Sequence, residues 1–185
     1  MTGHAGIGAL FCILVTFSAS LAAAQPATWT AGGIGGFGKT WNDESQVGTG
    51  LLGGARLDGR LVGGLRLEGA VDWLRHNRDE GAFQSDGHTT FLTATVRYQF
   101  GDGATYGYIL GGPAIAFHSG TNTFEGESRH VSGTSTGWTF GGGMAGPAGS
   151  RLEIGPEARF VMLASDDGSN TAFAIYGGIR IVLKR

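Results

Sequence analysis

The chain has 185 residues and a formal net charge of −2, which sets one domain as the expectation and leaves no basic footprint for nucleic acid. Glycine is abundant at 36 residues but follows no Gly-X-Y period, which excludes collagen. Only the N-terminal stretch is apolar over a length near that of a membrane-spanning helix.

That stretch, GALFCILVTFSASLAAAQPA, has an apolar core from Ile7 to Phe17 and small residues Ala22, Ala23 and Ala24 before Gln25. It reads as a secretory signal peptide over residues 1–24, cleaved after Ala24, with the mature domain over 25–185. Its amino-terminal flank carries only His4 and the α-amino group, and a short anchor helix is the alternative. The single cysteine, Cys12, lies inside this leader, so the mature chain is expected to hold no disulfide and no thiolate metal site.

After the leader, period-2 alternation predicts eight strands. The first runs from Thr28 to Phe37, with Trp29, Ala31 and Phe37 on one face. The second, Gly48 to Asp58, alternates Leu51, Gly53, Ala55 and Leu57 with Leu52, Gly54, Arg56 and Asp58. Asp58-Gly59-Arg60 reads as a tight hairpin turn into the third strand, within Arg60 to His76. There Leu65, Leu67, Val71 and Trp73 oppose Arg66, Glu68, Asp72 and Leu74. The fourth strand, Thr89 to Phe100, opposes Leu92, Val96, Tyr98 and Phe100 to Thr93, Thr95, Arg97 and Gln99. The fifth, Thr105 to Phe117, is apolar on both faces and has no readable orientation, and Pro113 within it predicts a bulge or local break. The sixth, Gly137 to Ala145, sets Trp138, Phe140 and Met144 against Thr139. The seventh, Leu152 to Leu163, and the eighth, Thr171 to Leu183, again place apolar residues opposite Glu153, Glu157, Arg159 and Arg180. Short turns alternate with four longer polar loops, the longest being 119–136. An even strand count with short connections at one end and long ones at the other predicts an all-β, eight-stranded antiparallel up-and-down transmembrane barrel.

Alternation does not say which face is outside, since a soluble barrel also alternates, with charge outward. Four features place the apolar face outward. Arg56, Arg66, Arg97, Arg159 and Arg180 balance Asp58, Glu68, Asp72, Glu153 and Glu157, as a closed interior requires. The basic members are all arginine, whose planar fork suits buried pairs, and the only lysines are Lys39 and Lys184. A strand such as Leu61 to Trp73 spans about 40 Å, enough to cross a bilayer when tilted. Trp29, Phe37, Trp73, Tyr98, Phe100 and Trp138 fall near the ends of the apolar face, where ring side chains meet the membrane interfaces.

With YGYILGGPAIAF in strand five, WTFGGGMAG and RLEIGPEARF in strands six and seven, and AIYGGIRIVL in strand eight, the chain resembles the small eight-stranded outer-membrane β-barrels of the OmpA/OmpX-like family. The resemblance covers essentially the whole mature chain. It implies insertion into the bacterial outer membrane after export through the Sec pathway, with the outer-membrane assembly machinery, outer-membrane lipid and lipopolysaccharide as partners. The family's C-terminal assembly signal places glycine before alternating apolar residues that end on an aromatic. Gly178, Ile181 and Leu183 fit the spacing, whereas Lys184 and Arg185 stand where the aromatic would be.

No phosphate loop, zinc spacing or nucleophile elbow appears, so no cofactor and no metal are expected, and the acidic loops read as a solvated rim. His130 and Ser132 are two apart in an extended segment. They resemble the His-x-Ser pair of eight-stranded lipid A deacylases, but Gly133 stands where that family has Asn, and the next acid, Glu153, is assigned to the lumen. The expected function is therefore a structural or surface-interaction role with a plugged lumen and four exposed loops. The loop 119–136 is the expected contact for a surface ligand. The alternatives are a lipid A-modifying hydrolase, a narrow ion pore, and an exported soluble ligand-binding barrel.

Overall fold

The computed structural model describes residues 29–42, 46–80, 83–101, 104–148, 150–165 and 168–183, with backbone alone at 41–42, 46–48, 78–80, 83, 165 and 168–183. The expected signal peptide, residues 1–24, lies outside the described residues. Eight strands follow one another: β1 Trp29–Asn42, β2 Gln46–Val62, β3 Leu65–Glu80, β4 Phe83–Phe100, β5 Tyr106–Phe124, β6 Glu127–Pro147, β7 Leu152–Ser165 and β8 Gly168–Leu183. Each pairs antiparallel with its chain neighbours, and β1 pairs with β8, closing the barrel. Closure leaves no raw edge within the hydrocarbon, the condition any sheet must meet to cross a bilayer.

The stagger follows from the pairing. A row of paired residues runs from Gly32 through Arg56, Ala70, Thr93, Ala114, Gly137, Leu163 and Asn170, and returns to β1 at Asn42, ten residues above its start. For eight strands this shear gives a tilt of about 40° and a climb of about one and a quarter residues per strand. Allowing for that climb, Phe37, Trp73 and Trp138 share one level, and Trp29, Tyr98 and Phe100 share another roughly 20 Å below. All six rings are exposed on the outer wall. Between the two belts the same wall carries Leu57, Val71, Val96, Ile109 and Phe140, also exposed. This is the height and composition of a lipid-facing band. In the lower belt, Trp29 lies against Gly59 on the next strand, where a Cβ would come within 2.9 Å of the ring, and Phe100 lies against Gly107 closer still. Glycine at these two positions lets the belt rings lie flat on the neighbouring strand.

Several expectations change. The turn between β2 and β3 is Gly63-Gly64, not Asp58-Gly59-Arg60. Asp58 continues the strand with its carboxylate in the lumen, and Gly63, at φ 55°, takes the left-handed conformation that the turn requires. Of the two alternatives at Pro113, the local break is found and the bulge is not: pairing with β4 is interrupted after Thr93–Ala114 and resumes at Val96–Gly111 in the same register. Orientation of β5 is settled, with Tyr108, Leu110, Ala114 and Ala116 buried inside and Ile109, Ile115 and Phe117 outside.

The largest change concerns the long loops. The segment 119–136 is strand on both sides of a two-residue turn, Glu125-Gly126, whose φ values of 51° and 87° suit a hairpin turn of the primed type. β3 and β4 likewise remain paired up to Glu80–Phe83. Both segments escaped the period-2 reading because a ribbon with water on both faces has no apolar side to alternate. A four-stranded sheet, β3 to β6, therefore stands above the upper belt, and its tip lies roughly 25 Å beyond that belt. Pairing of β6 with β7 begins at Thr136–Ala164, so among the described residues Glu127–Ser135 pairs with β5 alone and forms a free edge.

Candidate functional site

The inward positions between the belts collect the charges. Arg56, Asp58, Arg66, Glu68, Asp72, Arg97, Glu157 and Arg159 are all buried, Arg97 and Glu68 to 1% exposure. Their strands bring them together although some are about a hundred residues apart in sequence. Arg159 donates from Nη2 to Glu68 Oε1 at 2.7 Å and to Glu157 Oε1 at 2.9 Å, and from Nη1 to Thr93 Oγ1 at 3.0 Å. Arg56 donates to Glu157 Oε2 at 2.7 Å and lies 3.7 Å from Asp72. Arg66 binds Asp58 through Nε and donates to Thr30 Oγ1 at 2.6 Å. Arg97 lies 3.8 Å from both Asp58 and Glu68, with its guanidinium 3.9 Å from the centroid of the Tyr108 ring. Four arginines thus meet four carboxylates in a space closed to water, where an unmatched charge is costly and the guanidinium fork can serve two carboxylates at once.

Glu153 stands apart from this cluster. It is half-buried near the lower end of the lumen and accepts a 2.6 Å hydrogen bond from the Tyr106 hydroxyl, which also accepts one from Arg97 at 3.2 Å. Arg180 pairs across the sheet with Gly32 and Glu153, and its side chain lies outside the described residues. Thr30, Thr93, Tyr106 and Tyr108 complete the cluster and carry no charge that sequence reading could use. The two tyrosines lie on the strand whose faces were both apolar.

Ion pairs do not fill the lumen alone. Leu52, Leu74, Phe91, Ala114, Ala116, Val161 and Leu163 pack into one buried apolar cluster. By register this layer sits inside the barrel at the level of the upper belt, above the charges. Tyr108, Leu110 and Ala145 form a second cluster near the lower end. The lumen is therefore a stack: an aromatic floor, an ionic middle and an apolar cap.

His130 and Ser132 lie on β6, not in a loop, and both are exposed above the upper belt. Both share the outward side of β6 with Trp138. Among the described residues, His130 makes no hydrogen bond to Ser132 or to a carboxylate, and Glu153 is held inside at the other end of the barrel. Among the described residues no carboxylate is hydrogen-bonded to this pair, so no proton relay is assembled there.

Comparison with known proteins agrees with the architecture. No curated protein sequence is significantly similar to the chain. Among solved structures, it resembles Neisserial surface protein A, with a TM-score of 0.68 and 12% identity over 86% of this chain and 100% of that one. It also resembles a major outer membrane protein from Thermus thermophilus, with a TM-score of 0.60 and 13% identity over 86% and 100% of the two chains. For the outer membrane protein OprG from Pseudomonas aeruginosa the TM-score is 0.58, with 11% identity over 85% and 97%. At these identities the likeness is one of fold. The family described as outer membrane protein beta-barrel domain matches residues 9–180, and with its apolar outer wall and charged interior this chain belongs to that family.

Proposed function

We propose that this outer-membrane barrel is a non-conducting anchor that presents the β3–β6 sheet above the membrane, with the hairpin of residues 119–136 as its contact element for a surface ligand. The observation that carries the reading is the edge Glu127–Ser135, which among the described residues pairs with β5 alone and so offers its other side to a partner. Rigidity supports it as well: the sheet is a continuation of the barrel wall, so a partner would meet a preorganised surface. The closed stack in the lumen favours an anchor over a narrow pore. An apolar outer wall between the belts is the reverse of what a soluble ligand-binding barrel would show. In this reading the chain reaches the outer membrane through the Sec pathway and the assembly machinery, and lies among lipopolysaccharide.

Single cysteines at Thr123 and Ser128, and at Ala104, exposed in the turn between β4 and β5 at the opposite end, test the arrangement on intact cells. A membrane-impermeant maleimide is expected to label the first two and spare the third. Labelling of position 104 from outside would overturn the reading. Removal of residues 121–130 with a short turn in their place is expected to leave the heat-dependent gel shift of the folded barrel intact while abolishing contact with the surface ligand.

A further inference from the structure

On the outer wall of the protruding sheet, an open concavity of about 370 Å³ begins at Trp73 and climbs obliquely across β4 and β5 to His130. The pairing dictates its lining. One row places Arg75 beside His88 and His88 beside Ser119; the next places Asp86 beside Thr121 and Thr121 beside His130. All six lie outward, on the side of the sheet that faces lipid lower down. Arg75 and Asp86 are paired at 3.2 Å with both side chains about 60% exposed, so the pair is weak and its remaining donors and acceptors face outward. Trp73 closes the lower end, its ring 6.2 Å from that of His88.

Position narrows the ligand. The floor of the concavity is the upper aromatic belt, and the paired row next below Trp73 carries Val71, Leu92 and Ile115, all exposed. Anything seated here has apolar wall below it and polar wall beside it, so the fitting ligand is an amphiphile. Height narrows it further: Arg75 stands roughly 5 Å above the belt and His130 roughly 20 Å above it, more than a simple phospholipid head group spans. The polar groups are mainly donors (a guanidinium, two imidazoles and two hydroxyls), with one carboxylate among them. Donors of this kind suit phosphate, and a lone carboxylate suits a sugar hydroxyl.

We infer that this concavity seats the phosphorylated sugar head of an outer-leaflet glycolipid, with Arg75 and His88 on the phosphate, Asp86 on a sugar hydroxyl, and the acyl chains along Val71, Leu92 and Ile115. The site shares Ser119, Thr121 and His130 with the hairpin of the proposed function, while its phosphate contacts Arg75 and His88 lie on β3 and β4, and it rests on that reading's placement of this end of the barrel outside the cell.

The test is lipid retention by the full-length barrel in phosphatidylcholine vesicles doped with diphosphoryl lipid A, read by native mass spectrometry after gentle extraction. One lipid A per barrel is expected. The Arg75→Ala, His88→Ala variant is expected to lose retention by about tenfold, as removal of charge-assisted contacts predicts. Arg75→Glu, at an exposed site, should lose at least as much while keeping the heat-dependent gel shift. Vesicles doped with phosphatidic acid, which offers phosphate without sugar, should give much weaker retention. Equal retention by the variants, or equal retention of phosphatidic acid, would overturn the inference. Loss of the gel shift in the unaltered protein would instead strike at the membrane-barrel reading.

Discussion

Arg159 binds Glu68, Glu157 and Thr93 at once, so cutting it to alanine removes the partner those two carboxylates share and leaves the buried cluster one positive charge short. The expected loss is about 3–5 kcal/mol, the range for breaking one side of a buried pair, measured by urea titration of the gel-shifted form in lipid vesicles. Arg159→Met combined with Glu157→Gln is expected to lose less than Arg159→Ala, because a charge of each sign leaves together. Two histidines above the upper belt behave differently. Burial holds the imidazoles of both His76 and His118 below their ordinary value, and for His76 the nearby His88 and His118 act in the same direction while Asp86 opposes them. The unfolded chain takes up protons near pH 6.5 while these folded sites resist them, so stability is complete above that pH and declines as the pH falls below it. Amides of β3–β5 above the belt should therefore exchange faster at pH 5.5 than at 7.5 after correction for intrinsic rates, and His76→Gln should weaken the effect. A rise in protection on acidification would contradict it.

At the level of single elements, the hairpin turn between β5 and β6 holds the only non-glycine residue at positive φ among the described residues, Glu125. Its left-handed backbone costs an ordinary side chain about 1 kcal/mol. Glu125→Asn or Glu125→Gly should therefore stabilise the hairpin by up to that amount, seen as slower amide exchange at Thr123 and Ser128; no change would mean that the turn is not held in this form. Turn chemistry is also where the sequence was hardest to read. Asp58-Gly59-Arg60 has the composition of a hairpin turn, yet Asp58 is needed in the lumen by Arg66, and the chain reverses four residues later at Gly63-Gly64. The strands between the belts were legible because lipid on one side and ion pairs on the other force strict alternation. Above the belt both faces meet water, alternation vanishes, and the β5–β6 ribbon reads as a loop. The outward face of the barrel was legible from arginine usage and charge balance. The apolar cap was not, because Leu52 and Leu74 share strand parity with Arg56 and Asp72 and only the register shows them at a different height.

For the whole molecule, the layered lumen makes a claim about permeation. If salt bridges alone closed the barrel, disrupting them would open it. With an apolar cap stacked above, Arg159→Ala should remain silent in planar bilayers, and conductance should appear only when Leu74→Ala and Phe91→Ala are added. Channel events from Arg159→Ala alone would show that the cap does not seal.

Joining β1 to β8 also constrains how the molecule comes into being. A ring of eight strands has no stable seven-membered version in hydrocarbon, because the missing member would bare two rows of amide and carbonyl groups to a solvent unable to satisfy them. Insertion and circularisation must therefore be coupled. A nascent chain still waiting for its final strand has to be chaperoned at both flanks until the two ends of the sheet meet.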